Sequence, residues 1–148
     1  MPTSDPADQP AVAGPAGLID ALVQTSFVTM ASLNKIGAEH DLSLTQLRVL
    51  GILRDRRLRM TELADYLGLD KSTMTGLVDR AEKRGLLERV RNPTDGRAVD
   101  VRISPAGAAL AERLYAQVVA SLAPLTGALS RADQHRLRAL LETMLDRH

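Results

Sequence analysis

The sequence contains no cysteine and no tryptophan. Without cysteine there are no disulfides, no Cys-ligated zinc, no iron–sulfur cluster and no thiol redox switch. Aromatic residues are 2% of the 148 residues, namely Phe27, Tyr66 and Tyr115. With 45% hydrophobic residues a packed core is within reach, but it has to be aliphatic. No run approaches the ~20 uninterrupted apolar residues of a membrane span. No basic stretch leads into an apolar one at the N-terminus as in a secretory signal, so a cytoplasmic protein without membrane association is expected. Signatures of catalysis are missing too: there is no Gly-x-Ser-x-Gly elbow, phosphate loop, dinucleotide fingerprint or His-Glu-x-x-His. Neither an enzyme nor a cofactor is expected. His40, His135 and His148 are far apart in sequence, and the adjacent Glu39, His40 and Asp41 would point in different directions, so no metal site is expected either.

The net charge of +1 conceals an uneven distribution. Residues 48–102 hold 13 Lys and Arg against 9 Asp and Glu, and the remainder holds 6 against 9. A basic middle between acidic flanks suits contact with a polyanion, although uneven surface charge is common in proteins of any function.

The length fits one domain, or one domain with helical arms. Residues 1–16, with Pro2, Pro6, Pro10 and Pro15 among Ala, Asp and Gly, read as a flexible tail. From Leu18, apolar residues recur at three- and four-residue steps (Ile19, Leu22, Val23, Phe27, Met30, Leu33, Ile36), which predicts an amphipathic helix ending near Gly37. A second helix is expected between Leu42 and Arg54 with Ser43 as cap, then a cluster of Arg54, Arg56, Arg57 and Arg59. Thr61–Leu67 reads as a short third helix broken by Gly68, and a fourth begins after Asp70 and ends before Gly85. Leu86–Arg91 and Ala98–Ile103 read as a hairpin around Asn92-Pro93-Thr94-Asp95-Gly96, with Val99, Val101 and Ile103 alternating with Ala98, Asp100 and Arg102. Ser104-Pro105 starts a fifth helix that Pro124 should end or kink. Ser130 with Asp133 resembles a capping box opening a sixth.

The most informative window is Met60–Asp79. Leu63, Ala64 and Leu67 would lie inside one short helix, Gly68 would make the turn with positive φ, Leu69 would seal the corner, and Met74, Leu77 and Val78 would pack the next helix back, as a helix-turn-helix requires. At 100° per residue Ser72, Gly76, Asp79 and Lys83 then point outward, flanked by Thr73, Thr75 and Arg80. Short hydrogen-bonding side chains on an exposed helix can reach base edges in a major groove. Gly76 has two readings, close approach of its backbone to the bases or simple tolerance on an exposed face. The hairpin would serve as a wing whose Arg97 enters a minor groove, with Asp95 holding its guanidinium; taken alone, the same residues also describe a solvated turn with a surface ion pair.

These residues resemble the MarR (multiple antibiotic resistance) family of winged helix-turn-helix regulators. The resemblance is carried by Leu44-Thr45-Gln46-Leu47-Arg48-Val49-Leu50, Thr61-Glu62-Leu63-Ala64, Lys71-Ser72-Thr73-Met74-Thr75, Leu77-Val78-Asp79-Arg80, Lys83-Arg84-Gly85-Leu86, Asp95-Gly96-Arg97 and Ile103-Ser104-Pro105-Ala106-Gly107. It implies a mainly α fold with a small β-hairpin, in which residues 42–104 form the winged-helix lobe and residues 17–40 and 105–148 supply dimerisation helices. It also implies a homodimer on a pseudo-palindromic operator, and release when a small hydrophobic or phenolic effector binds between arms and lobe. The DNA contacts it implies are Ser72, Thr73, Thr75 and Gly76 on the fourth helix with Arg97 and Asp95 on the wing, and Lys71, Arg80 and Lys83 complete the expected DNA-binding set. Phe27 and Met30, beside the second helix, are the candidate effector contacts, although plain core is the reading their pattern favours. The sequence departs from the family at Ala81, where a bulky Leu is usual, so packing under the recognition helix is expected to be looser; Ser104 replaces the commoner Thr. A winged helix that binds protein instead of DNA is the alternative, and a repressor indifferent to ligands is another.

Overall fold

The computed structural model describes residues 14–147. Helix α1 spans Pro15–Glu39, α2 Leu44–Leu53, α3 Met60–Leu67, α4 Lys71–Lys83, α5 Pro105–Thr126 and α6 Arg131–Leu145. Strands β1 (Leu58–Arg59), β2 (Leu87–Arg91) and β3 (Val99–Ile103) form one antiparallel sheet in the order β1-β3-β2. Of the expected tail, residues 1–13 lie outside the described residues, whereas Pro15 and Ala16 already belong to α1, with Pro15 at the helix start, where a missing N–H costs nothing.

Local chemistry sets most boundaries. The Ser43 hydroxyl accepts the Gln46 N–H at 3.1 Å and the Gln46 side chain returns to the Ser43 N–H at 2.9 Å, a complete capping box worth about 1 kcal/mol. Ser130 makes only the first half, accepting the Asp133 N–H at 3.1 Å. Gly68 closes α3 in the left-handed region at φ 65°, as the tight turn demands. Pro124 neither ends nor sharply breaks α5, which runs on to Thr126. It sits in the last turn, where only one ladder bond is lost.

The hairpin is one strand larger than the sequence suggests. β1 has two residues, too few to show an alternation, and pairs Leu58 with Val101 and Arg59 with Asp100. The alternation expected for β3 fails at its start: Val99 is exposed, and Asp100, expected outside, is buried at 5% exposure. Arg57, from the segment before the added strand, reaches over and pairs with Asp100 on that face.

The core lies between α2, α3, α4 and the sheet, with Val49, Leu53, Leu63, Met74, Val78, Leu87 and Val101 fully enclosed. Each such aliphatic side chain contributes about 2 kcal/mol of burial. Ala81 is buried in this core, and a small recess of about 10 Å³ lies beside it, bordered by Leu42, Val49, Leu77 and Leu87. Ile36 and Gly37 of α1, and Leu110, Ala111 and Leu114 of α5, join the arms to this core. Beyond that joint the arms are uncovered: α6 buries none of its residues, and Leu18, Phe27, Val119, Leu140 and Leu145 are large, apolar and exposed. By length and mean hydropathy, 1.3 over its most apolar window, α1 could also cross a membrane. In this structure it packs on α2 and α5, and Thr25, Ser26 and Thr29 turn their hydroxyls back to backbone carbonyls of the same helix.

Candidate nucleic-acid interface

Helix α4 starts on Asp70. One carboxylate oxygen of Asp70 accepts the Thr73 N–H at 2.7 Å and the Ser72 hydroxyl at 2.8 Å. The Thr73 N–H first, then the Ser72 and Thr73 side chains, hold the Asp70 carboxyl below its ordinary pKa. Because an ionised carboxylate only accepts, Ser72 must donate its proton to it. What Ser72 then offers outward is lone pairs, suited to an amino group on a base edge.

Met74, Leu77, Val78 and Ala81 are buried, which fixes the rotation of α4. Lys71, Ser72, Thr73, Arg80 and Lys83 are exposed, and Thr75 and Gly76 are half-buried on the same side. The terminal nitrogen of Arg80 lies 3.3 Å from where a Cβ on Gly76 would stand, so this guanidinium is folded back over the glycine. Among the described residues Lys71, Arg80, Lys83 and Arg97 form no ion pair within the lobe.

The wing stands beside this helix. Arg89 of β2 binds Asp79 of α4 at 2.5 Å and Glu82 at 3.1 Å, with its side chain only 26% exposed. Arg89 is therefore a strut between wing and helix, and Asp79, placed outward by the sequence, is spent on it. A groove of about 750 Å³ runs between the start of α4 and the wing, bordered by Thr61, Lys71, Met74, Thr75, Asp95 and Arg97. The expected role of Asp95 needs correction. Its carboxylate accepts the backbone N–H of Arg97 at 3.1 Å and does not clasp the guanidinium, which stays exposed. A short side chain two residues upstream reaches the backbone first, as Asx turns do.

Three residues outside the expected set also shape this face. Arg57, Asp100 and Asn92 form a hydrogen-bonded cluster under the wing, and no local sequence signal joins positions 43 apart. Among the described residues no cluster of three His, Cys, Asp or Glu side chains is gathered.

A second cavity, of about 340 Å³, lies where α1, α2 and α5 meet. Met30, Leu33, Leu47, Ala111 and Leu114 are among its apolar walls, and Arg54 stacks on the Tyr115 ring at its edge, 4.4 Å from the centroid. Of the two candidate effector contacts it includes Met30 and not Phe27. Phe27 is 65% exposed and sits one turn further from α2, on the uncovered face of the arm.

A sequence profile described as MarR family matches residues 40–98, the end of α1 through to the wing. The multiple antibiotic resistance protein MarR of Escherichia coli is 31% identical over 115 residues, which cover 76% of this chain and 80% of that protein. The chain belongs to the MarR family. The HTH-type transcriptional regulator PecS of Dickeya dadantii is also similar, 28% identical over 86% of this chain and 79% of its own length. Among solved structures, an Escherichia coli MarR variant complexed with operator DNA superposes with a TM-score of 0.66 at 28% identity, covering 88% of this chain and 94% of that one. As a MarR-family protein the chain is a DNA-binding transcription regulator, which favours the groove between α4 and the wing as a nucleic-acid surface over a protein-binding one.

Proposed function

We propose that the protein acts in the cytoplasm as a homodimeric repressor on a pseudo-palindromic operator, with α4 in the major groove and Arg97 in the adjacent minor groove. The observation that supports this most is that Lys71 and Thr75 of α4 border one groove with the exposed Arg97, while Ser72 and Thr73 stand exposed on the next positions of the same helix. Ser72, Thr73, Thr75 and Gly76 face the bases, Lys71, Arg80 and Lys83 face phosphates, and Asp95 sets the loop that carries Arg97. Two-fold pairing of the uncovered apolar faces of α1, α5 and α6 would bury side chains that otherwise remain in water, and it would set the two reading helices one DNA turn apart, about 34–36 Å. The cavity at the junction of α1, α2 and α5 takes a small hydrophobic or phenolic effector. Its apolar walls suit a ring and Arg54 suits an oxygen at its edge.

The test is binding to a palindromic duplex that the protein selects from a randomised pool. Three phosphate-facing cations per protomer predict a slope of log affinity against log salt of about −5. Arg97→Ala should weaken binding tenfold or more, about 1–3 kcal/mol per half-site, and leave the dimer intact by sedimentation. Affinity unchanged by Arg97→Ala would remove the wing from the interface. A monomer in sedimentation would overturn the two-fold reading.

A further inference from the structure

Asp100 lies on β3 at the base of the wing and is 5% exposed, although its strand neighbours on either side face differently. Each of its carboxylate oxygens has its own donor. Arg57, in the segment between α2 and β1, gives its Nε–H to one oxygen at 2.7 Å, and the Asn92 amide nitrogen gives to the other at 2.9 Å. Arg57 also donates from Nη2 to the backbone carbonyl of Arg91 at 3.0 Å, so a single guanidinium grips the end of β2 and the middle of β3.

The network continues outward from Asn92. Its side-chain oxygen accepts the Thr94 N–H at 3.0 Å, the Thr94 hydroxyl at 2.9 Å and the Asp95 N–H at 2.9 Å. These partners fix the orientation of the Asn92 amide, because a flip would turn its oxygen toward the Asp100 carboxylate and its NH₂ toward three donors. Asp95, held in this way, accepts the Arg97 N–H at 3.1 Å, and its backbone carbonyl accepts the Ala98 N–H at 3.0 Å. An unbroken chain of hydrogen bonds thus runs from Arg57, outside the wing, to the backbone of Arg97.

We propose that Arg57, Asp100 and Asn92 are positioning residues for DNA binding, a relay that holds the wing loop in one conformation and so fixes where Arg97 leaves the lobe. The inference rests on the reading above that Arg97 enters DNA. A loop ordered in advance loses less conformational entropy when it meets the duplex, and the gain appears as affinity without a new contact. Pairing with Arg57 also neutralises a carboxylate that would otherwise repel phosphate from beneath the wing.

The experiment is a double-mutant cycle in the full-length dimer, on the palindromic duplex selected by the unmodified protein. Asn92→Ala should weaken binding about tenfold with Arg97 present and less than about twofold in the Arg97→Ala background, because a residue that acts through Arg97 has nothing left to position. Asp100→Asn should show the same dependence on background. In the free protein Asn92→Ala should speed hydrogen exchange at the Asp95 and Arg97 amides, and hydroxyl-radical protection of the minor groove should fade while guanine N7 protection in the major groove persists. Equal loss in both backgrounds, or unchanged exchange at those two amides, overturns the relay while leaving Arg97 as a DNA contact. If Arg97→Ala alone costs nothing, the minor-groove reading falls and the relay falls with it.

Discussion

Gly76→Ala separates fold from recognition on the reading helix. Gly76 is half-buried on the polar side of α4, and within the lobe a Cβ there would meet only the Arg80 terminal nitrogen at 3.3 Å. That atom is the far end of a flexible side chain and can give way. Replacing glycine by alanine in a helix interior contributes about 1 kcal/mol, and for a chain of this size that raises Tm by roughly 2–4 °C. If the backbone at Gly76 approaches the bases closely, the added methyl meets DNA in both half-sites. Overpacking of this kind costs about 1–3 kcal/mol at each, so operator affinity should fall tenfold or more even as the free protein becomes more stable. Fluorescence anisotropy with the selected duplex and a thermal melt followed by circular dichroism measure the two effects independently. A higher Tm with unchanged affinity would refute close approach and leave Gly76 as a glycine merely tolerated on an exposed face.

Other substitutions probe the joint between arm and lobe, and the response to acid. In α5, a Cβ on Gly107 would stand 2.1 Å from the Leu86 backbone oxygen, which itself accepts the Ser104 N–H at 3.0 Å. Gly107→Ala should therefore lower stability by about 2 kcal/mol, overpacking and a disturbed hydrogen bond outweighing the gain in helix propensity; a Tm equal to or above that of the unmodified protein would show that the seam yields. For Asp100, the Asn92 hydrogen bond is the largest cause of a pKa below the ordinary value, with Arg57 lowering it further and burial opposing. A carboxylate depressed in the fold stabilises fully above its unfolded pKa, about 3.9, and loses that contribution as pH falls through the lower folded value. Melts between pH 7 and pH 3 should thus show a loss of Tm below about pH 4 that is shallower in Asp100→Asn, and identical acid profiles would count against an ionised Asp100 in the fold.

How much of this was legible in the sequence follows the range of each interaction. Ser43, Gly68 and Asp70 announce themselves because a cap or a left-handed turn is made within four residues, and the rotation of α4 follows from Met74, Leu77, Val78 and Ala81 alone. The third strand escaped because two residues carry no period. Asp100 read as an outward strand residue because alternation assumes one covered face, whereas Arg57 arrives from the segment before β1 to cover the other. The strut made by Arg89 was not legible because nothing local reveals Asp79 and Glu82 across the gap between helix and strand. Phe27 and Met30 look alike in the pattern of α1, and only the position of α2 places one at the cavity and the other on the open face. The guanidinium of Arg97 is the reverse case: an ion pair with Asp95 is plausible from spacing, but the Arg97 backbone N–H takes the carboxylate first.

Two joints determine how the arms act on the reading helix. At the end of α4, Arg84 donates to the backbone carbonyls of Asp41 at 2.8 Å and His40 at 2.9 Å, and the His40 ring meets Gln117 of α5 at 3.0 Å. Asp41 takes the left-handed conformation, φ 54°, that turns its chain into this corner. At the start of α5, the Ser104 hydroxyl bridges the Gly85 carbonyl and the Gly107 N–H, while Gly107 lies flat against Leu86. Helix α4 is therefore tied near its C-terminal end to both arms, and Arg89 ties its outer face to the wing. In the function proposed above, such a lobe would turn as a unit. On the proposed reading, an effector wedged among α1, α2 and α5 does not need to bend α4 to weaken DNA binding. It needs only to favour the dimer in which both intact lobes have turned away from a one-turn spacing, because a ligand shifts an equilibrium by its differential affinity for the two states and by nothing else.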